Sequence, residues 1–187
     1  MKLIRLFIKN IKILFFRLRT QGLWVTVQWA YARLIPLLTG NPPLRFSRVT
    51  PQLYVGPQYR QWGRRALLRK GIDSGINMRI EYYDAANGLD LTHYCYLPTV
   101  DDDPIATEHF EKGIAFIRER IAAGGKVYIH CTAGVGRAPS MAAAYLIAEG
   151  QTLDEALTTI RQARPFIKPT PVQMEALKAF EQTLNHA

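Results

Sequence analysis

A chain of 187 residues, 48% hydrophobic and 21% charged, has enough apolar side chains for one buried core and too many for wholesale disorder. Two cysteines cannot make a disulfide framework, which points to a reducing compartment and to a thiol kept for chemistry. The formal charge of +9 is unevenly placed: 14 of the 24 Lys and Arg precede Asp73, the first acid, and the other ten share residues 73–187 with all 15 acids. Such a basic block implies an anionic partner, here a membrane surface rather than nucleic acid, unless it is only a solvated face.

Residues 1–19 place Lys2, Arg5, Lys9, Lys12 and Arg19 along one helical face and Ile4, Phe7, Ile11, Leu14 and Leu18 near another. No apolar run reaches the roughly 18 residues of a membrane span, and no cleavage site follows the cations as in a secretory signal. A basic amphipathic helix on an anionic membrane fits this segment; a helix packed on the rest of the chain and a mitochondrial presequence are the other readings. Residues 22–38 read as a second apolar helix, with Trp24, Trp29 and Tyr31 either at a lipid interface or in a core. Gly40-Asn41-Pro42-Pro43 breaks the pattern, so residues 1–43 are taken as a basic helical extension and 44–187 as the main domain.

Beyond the break, strands are expected at Leu53–Val55, Ile76–Met78, Tyr94–Leu97 and Val127–His130. Helices are expected over about 61–69, 107–122, 138–149, 153–164 and 172–184. Thr152-Leu-Asp-Glu155 is a capping box, and Thr170-Pro171 signals another helix start. The alternation predicts an α/β fold with a mainly parallel central sheet flanked by helices, and ligands at the carboxyl ends of its strands.

The chemistry is concentrated in Val127-Tyr-Ile-His130-Cys131-Thr-Ala-Gly-Val-Gly-Arg137-Ala-Pro-Ser140. A strand ends at His130, a tight turn follows, and a helix begins near Ala138. Gly134 and Gly136 allow the amides of Thr132, Ala133, Gly134, Val135, Gly136 and Arg137 to curl inward, and the helix N-terminus adds further donors. Those donors favour the thiolate of Cys131. Arg137 supplies a planar fork that grips two phosphate oxygens. A nucleophilic thiolate in a phosphate cradle specifies phosphoryl transfer to sulfur; a structural cysteine in a capping turn would explain neither the glycines nor the arginine.

Cys131 to Arg137, with His130 before it, resembles the signature of the protein tyrosine phosphatase superfamily, in its dual-specificity branch. Thr50-Pro-Gln-Leu-Tyr-Val-Gly56, Ile76-Asn77-Met78, Leu97-Pro98-Thr-Val-Asp101 and Arg164-Pro-Phe-Ile-Lys-Pro169 resemble other segments of that branch, over residues 46–184. The wording Gly136-Arg137-Ala138-Pro139 is similar to glucan phosphatases and to the prenylated phosphatases of regenerating liver. The Asp101 context and the tail from 165 are similar to mitochondrial phosphatidylglycerophosphate phosphatases. The resemblance implies a cysteine-phosphatase fold and a phosphocysteine intermediate. It implies phosphotyrosine or phosphoserine/threonine proteins as substrates, with a membrane lipid phosphate as the alternative. Two departures stand out. Ala138 occupies the place where the family commonly has Ser or Thr to help the thiolate leave, which keeps open a phosphate-binding adaptor of low turnover. Thr132, Ala133 and Val135 are neutral where phosphoinositide phosphatases often carry Lys or Arg.

A proton donor for the leaving group is sought among Asp101, Asp102 and Asp103. Asp101, three residues after Pro98, matches the family's position and is preferred, with Asp102 next; Asp103 before Pro104 also suits a turn. The same Asp101 context argues against a rhodanese-type sulfurtransferase. His130 is expected to order the loop. Cys95, on a strand that could neighbour Cys131, is an inert buried thiol or a redox partner. His93, His109 and His186 form no spaced ligand set, so neither metal nor cofactor is expected. The expected location is the cytoplasm, peripheral on a membrane, or the mitochondrion in a eukaryotic host.

Overall fold

In the computed structural model the backbone is described for residues 2–185 and the side chains from Ile13 onward. His186 and the side chains of Lys2, Arg5, Lys9, Lys12, Ile4, Phe7 and Ile11 therefore lie outside the described residues. Four strands, β1 (Leu53–Pro57), β2 (Ser74–Arg79), β3 (His93–Thr99) and β4 (Val127–Cys131), form one parallel sheet in the order β1-β4-β2-β3. The fold is α/β, as expected. Each strand is short, and β4 is buried along its whole length because it is flanked on both edges.

The helices are α1 (Lys2–Thr39), α2 (Gln61–Arg69), α3 (Thr107–Ala122), α4 (Arg137–Ala148), α5 (Leu153–Ala163) and α6 (Pro171–Asn185). Helix α4 is almost wholly apolar and small-sided, with Arg137 to Ile147 all buried, so it forms the centre of the core beside β4. Its three alanines in succession, Ala142 to Ala144, let neighbouring helices approach closely. The Thr152–Glu155 capping box forms as predicted: Glu155 N donates to Thr152 Oγ1 at 3.3 Å and Thr152 N donates to Glu155 Oε2 at 2.8 Å. Thr170 N likewise donates to Gln173 Oε1 at 3.1 Å at the start of α6.

One sequence expectation changes. Cys95 does not neighbour Cys131, because β2 lies between β3 and β4. Two strand spacings amount to about 9.5 Å, beyond the reach of a disulfide. Burial raises the Cys95 thiol pKa, which suits the inert reading. For the extension, the sequence left open a membrane surface and the rest of the chain. Gly22, at φ 81°, breaks α1 into two arms, and both fold back onto the catalytic half of the molecule. Trp29 and Ala32 of the second arm are buried against Phe166, with Ile13 of the first arm and Val135 of the cysteine loop in the same cluster. Trp24 and Tyr31 remain 72% and 50% exposed, so only Trp29 of the three aromatics serves the core. Among the described residues no helix is long and apolar enough to cross a membrane.

Candidate active site

All four strands end at one place. Cys131 closes β4, Met78 and Arg79 close β2, Thr99 closes β3, and Pro57 closes β1. The loop from Thr132 to Gly136 rises from this edge, and its carbonyls are tied to the protein behind it. Gln58 N donates to Thr132 O at 3.3 Å, Arg164 Nη2 to Ala133 O at 2.8 Å, Arg164 Nε to Gly134 O, Lys168 N to Val135 O at 2.8 Å, and Ser140 N to Gly136 O at 3.0 Å. With the carbonyls fixed outward, the amides face the opposite way, toward Cys131; Gly134 N already donates to its Sγ at 3.2 Å. Gly134 has φ +64°, and a Cβ there would lie 2.5 Å from the backbone of Gly56, so only glycine fits.

Arg137 is fixed between the ends of β2 and β3. Its Nη1 donates to Met78 O at 3.2 Å and Thr99 O at 2.7 Å, and its Nη2 to Thr132 Oγ1 at 3.0 Å. Two carboxylates meet the same fork: Glu81 bridges it with Oε2 on Nη1 at 3.0 Å and Oε1 on Nη2 at 2.9 Å, and Asp101 Oδ1 lies 2.9 Å from Nη2. Burial alone would lower the Arg137 pKa, but Glu81, the Cys131 sulfur and Asp101 together raise it above the ordinary value. Its Nε is buried without a partner among the described residues, a donor that an anion on the loop would satisfy.

The predicted residues are thus gathered, with different duties. Cys131, 3% exposed, sits at the floor of a pocket of about 290 Å³, with Thr132, Ala133, Val135, Gly136, Asp101 and Asp102 in its walls. Asp101 is 66% exposed on its side chain. Asp102 is held with φ 67° while its carbonyl accepts from Thr170 Oγ1 at 3.0 Å; Asp103 O accepts from Gln173 Nε2 at 3.0 Å. His130 lies fully buried behind the loop, its Nε2 2.8 Å from Asp84 Oδ2 in a close contact rather than an aligned hydrogen bond. The Tyr59 and Tyr128 rings enclose it.

Three further residues were not singled out from the sequence. Glu81 follows β2, and the rule that ligands gather at the carboxyl ends of strands could have flagged it. Burial would raise its pKa, yet hydrogen bonds from Arg137, Thr132 and Arg79 outweigh this and hold it well below the usual carboxylate range. Asp84 anchors Gln58, whose Nε2 donates to Asp84 Oδ1 at 2.9 Å. Arg164, fully buried, opens a family-like segment, but its grip on the loop shows only in three dimensions.

The family model for the dual specificity phosphatase catalytic domain matches residues 53–183. The chain belongs to the dual specificity phosphatase family. It is 31% identical over 155 residues to dual specificity protein phosphatase 2 of Mus musculus, covering 81% of this chain and 47% of that protein. It is 34% identical over 135 residues to a probable rhodanese domain-containing dual specificity protein phosphatase of Dictyostelium discoideum, covering 71% and 28%. The chain therefore spans less than half the length of these curated relatives. Among solved structures, PTPMT1 in complex with PI(5)P superposes with a TM-score of 0.67 at 27% identity, over 75% of this chain and 97% of that one. Tk-PTP in its active form gives 0.65 at 25%, over 73% and 95%. The matched family domain begins at β1, so helix α1 stands outside it.

Proposed function

We propose that the protein hydrolyses phosphate monoesters through a phosphocysteine, with phosphotyrosine or phosphoserine/threonine proteins as the family's first substrate class. The carrying observation is the loop whose carbonyls are bound from behind while Gly134 N donates to the sulfur, with Arg137 Nε buried and unpartnered among the described residues. The Cys131 thiolate attacks phosphorus, the bond to the ester oxygen breaks, and Asp101 delivers the proton that the departing oxygen needs. Loop amides and Arg137 carry the charge on the equatorial oxygens. Water, deprotonated by Asp101, then attacks phosphorus and returns inorganic phosphate and the thiolate. For this, Asp101 leaves Arg137 as the substrate phosphate takes its place; Glu81 and Thr132 keep the guanidinium in plane. The test is Cys131→Ser: turnover of p-nitrophenyl phosphate disappears while vanadate or phosphate still binds by calorimetry. Retained turnover in this variant overturns the mechanism.

A lipid phosphate at a membrane is the second reading, and the surface of α1 favours it. Leu23, Val27, Tyr31, Leu34 and Leu38 lie on one face of its second arm, each about half or more exposed. Seven Lys or Arg and no acid occupy residues 1–40. In this reading the protein is peripheral on an anionic membrane from the cytoplasmic side, with α1 in contact with the headgroups. Co-sedimentation with phosphatidylglycerol vesicles, lost in Leu23→Glu/Leu38→Glu and weakened by salt, supports it; equal pelleting of both forms removes it.

A further inference from the structure

The catalytic pocket has a second set of cations that the phosphoryl-transfer scheme does not use. Arg17 and Arg33, on the two arms of α1, and Lys168, on the segment after α5, line the same pocket as Cys131 and the loop. Arg17 is only 5% exposed and is aimed by its surroundings. Its Nη1 donates to Gln21 Oε1 at 2.6 Å and to Phe166 O at 3.1 Å, and its guanidinium lies 4.7 Å from the centre of the Trp29 ring. Arg33 approaches the same ring at 5.8 Å. Lys168 is tethered through its backbone to Val135 O, and its ammonium stands 3.5 Å above the Phe16 ring.

None of the three forms an ion pair among the described residues. Asp101 and Asp102 share the pocket, but Asp101 is already engaged by Arg137. The cations instead act on one another: burial and then Arg33 bring the Arg17 pKa down to about 10, and burial and then Arg17 lower that of Lys168. A buried arginine kept among like charges is costly to the fold, and its cost is relieved by an anion bound between them. The chain holds three cations apart, on three segments, around a pocket whose floor already accepts one phosphoryl group.

We propose that Arg17, Arg33 and Lys168 form a second anion subsite at the mouth of the catalytic pocket, selecting small phosphate monoesters that carry a second phosphoryl anion. The inference rests on the phosphocysteine chemistry of the reading above and sets small esters in place of its phosphoproteins. The scissile group sits on the loop with Arg137, and the second phosphate, a monoester or a diester, is held by the cations of the mouth. Arg17 and Arg33 lie before residue 53, outside the matched family domain, so this selectivity belongs to the present chain's α1 rather than to the shared catalytic fold.

The test uses the full chain and a series of α,ω-alkanediol bisphosphates of increasing length beside the matching monophosphates. At low salt, kcat/KM for at least one bisphosphate should exceed that of its monophosphate by about tenfold, the worth of one charge-assisted hydrogen bond. In Arg33→Gln/Lys168→Gln, two exposed positions whose exchange spares the core, that preference should fall below about threefold, as it should at high salt. Calorimetry on Cys131→Ser, without turnover, should show the same order of affinities. No preference in the wild type across the series, or a preference that survives in the double variant, overturns the subsite. A doubly phosphorylated peptide that surpasses every bisphosphate with the same dependence on Arg33 and Lys168 overturns the assignment to small substrates. Absence of all turnover, p-nitrophenyl phosphate included, would instead reject the underlying phosphatase reading.

Discussion

Replacing Arg164 by Met removes the fixture that turns the cysteine loop inside out. Three carbonyls, of Phe46, Ala133 and Gly134, lose their donors in a place the guanidinium fills completely. A buried acceptor left without a partner costs roughly 1–3 kcal/mol, or roughly 3–9 kcal/mol for the three. Part of this is recovered, because burial already strains the charge, bringing the Arg164 pKa down to about 10. A net loss of about 3 kcal/mol follows, read from urea unfolding at neutral pH. Activity should suffer beyond the loss of folded protein, since carbonyls released from behind can rotate into the phosphate cradle. Misplacing one oxyanion donor costs about 10²–10³ in kcat, so kcat/KM for p-nitrophenyl phosphate should fall at least about a hundredfold under conditions where the variant is folded. A stability loss under about 1 kcal/mol, with kcat/KM within about threefold of wild type, would refute the account of how the loop is held.

Three other substitutions separate the carboxylates at the site. Asp101→Asn should slow alkyl and phenyl phosphates by about 10²-fold but p-nitrophenyl phosphate by less than about tenfold, because an activated leaving group hardly needs the proton. If Asp102→Asn shows that pattern while Asp101→Asn is silent, the acid is Asp102. Glu81→Gln should destabilise the protein at neutral pH. The folded-state pKa of Glu81 is depressed, so its contribution is complete above the ordinary 4.5 and fades as pH falls through the folded value. Urea midpoints of both forms should therefore converge on acidification below that point, and a gap that widens there counts against the Glu81–Arg137 pair.

The cradle could be read from the sequence because its parts are contiguous: one strand end, two glycines, one helix start and the arginine fall within fourteen residues. The sheet was equally legible, since short apolar runs alternating with 3.6-residue periodicity leave few arrangements. Glu81, Asp84 and Arg164 were not, because the first two reach the site from the segment after β2 and the third from the end of α5, and only the order β1-β4-β2-β3 decides which ends meet. The extension was legible only in part. Charge count and periodicity mark α1 as amphipathic but do not say what covers its faces. Arg17, which belongs to none of the faces drawn from the sequence, is the cation that the fold buries.

The contact of Trp29 with Phe166 and Val135 separates what the enzyme does from what it does it to. Bond-making is proposed for the cysteine loop and Asp101, whereas one side of the mouth above them is built by α1, which supplies no reacting atom. A protein trimmed to the limits of the recognised family domain would begin after that segment and would expose an open cradle in place of a walled one. Rates collected on such a fragment would describe the common chemistry of the fold and would lack the share of the proposed selectivity that Arg17 and Arg33 contribute.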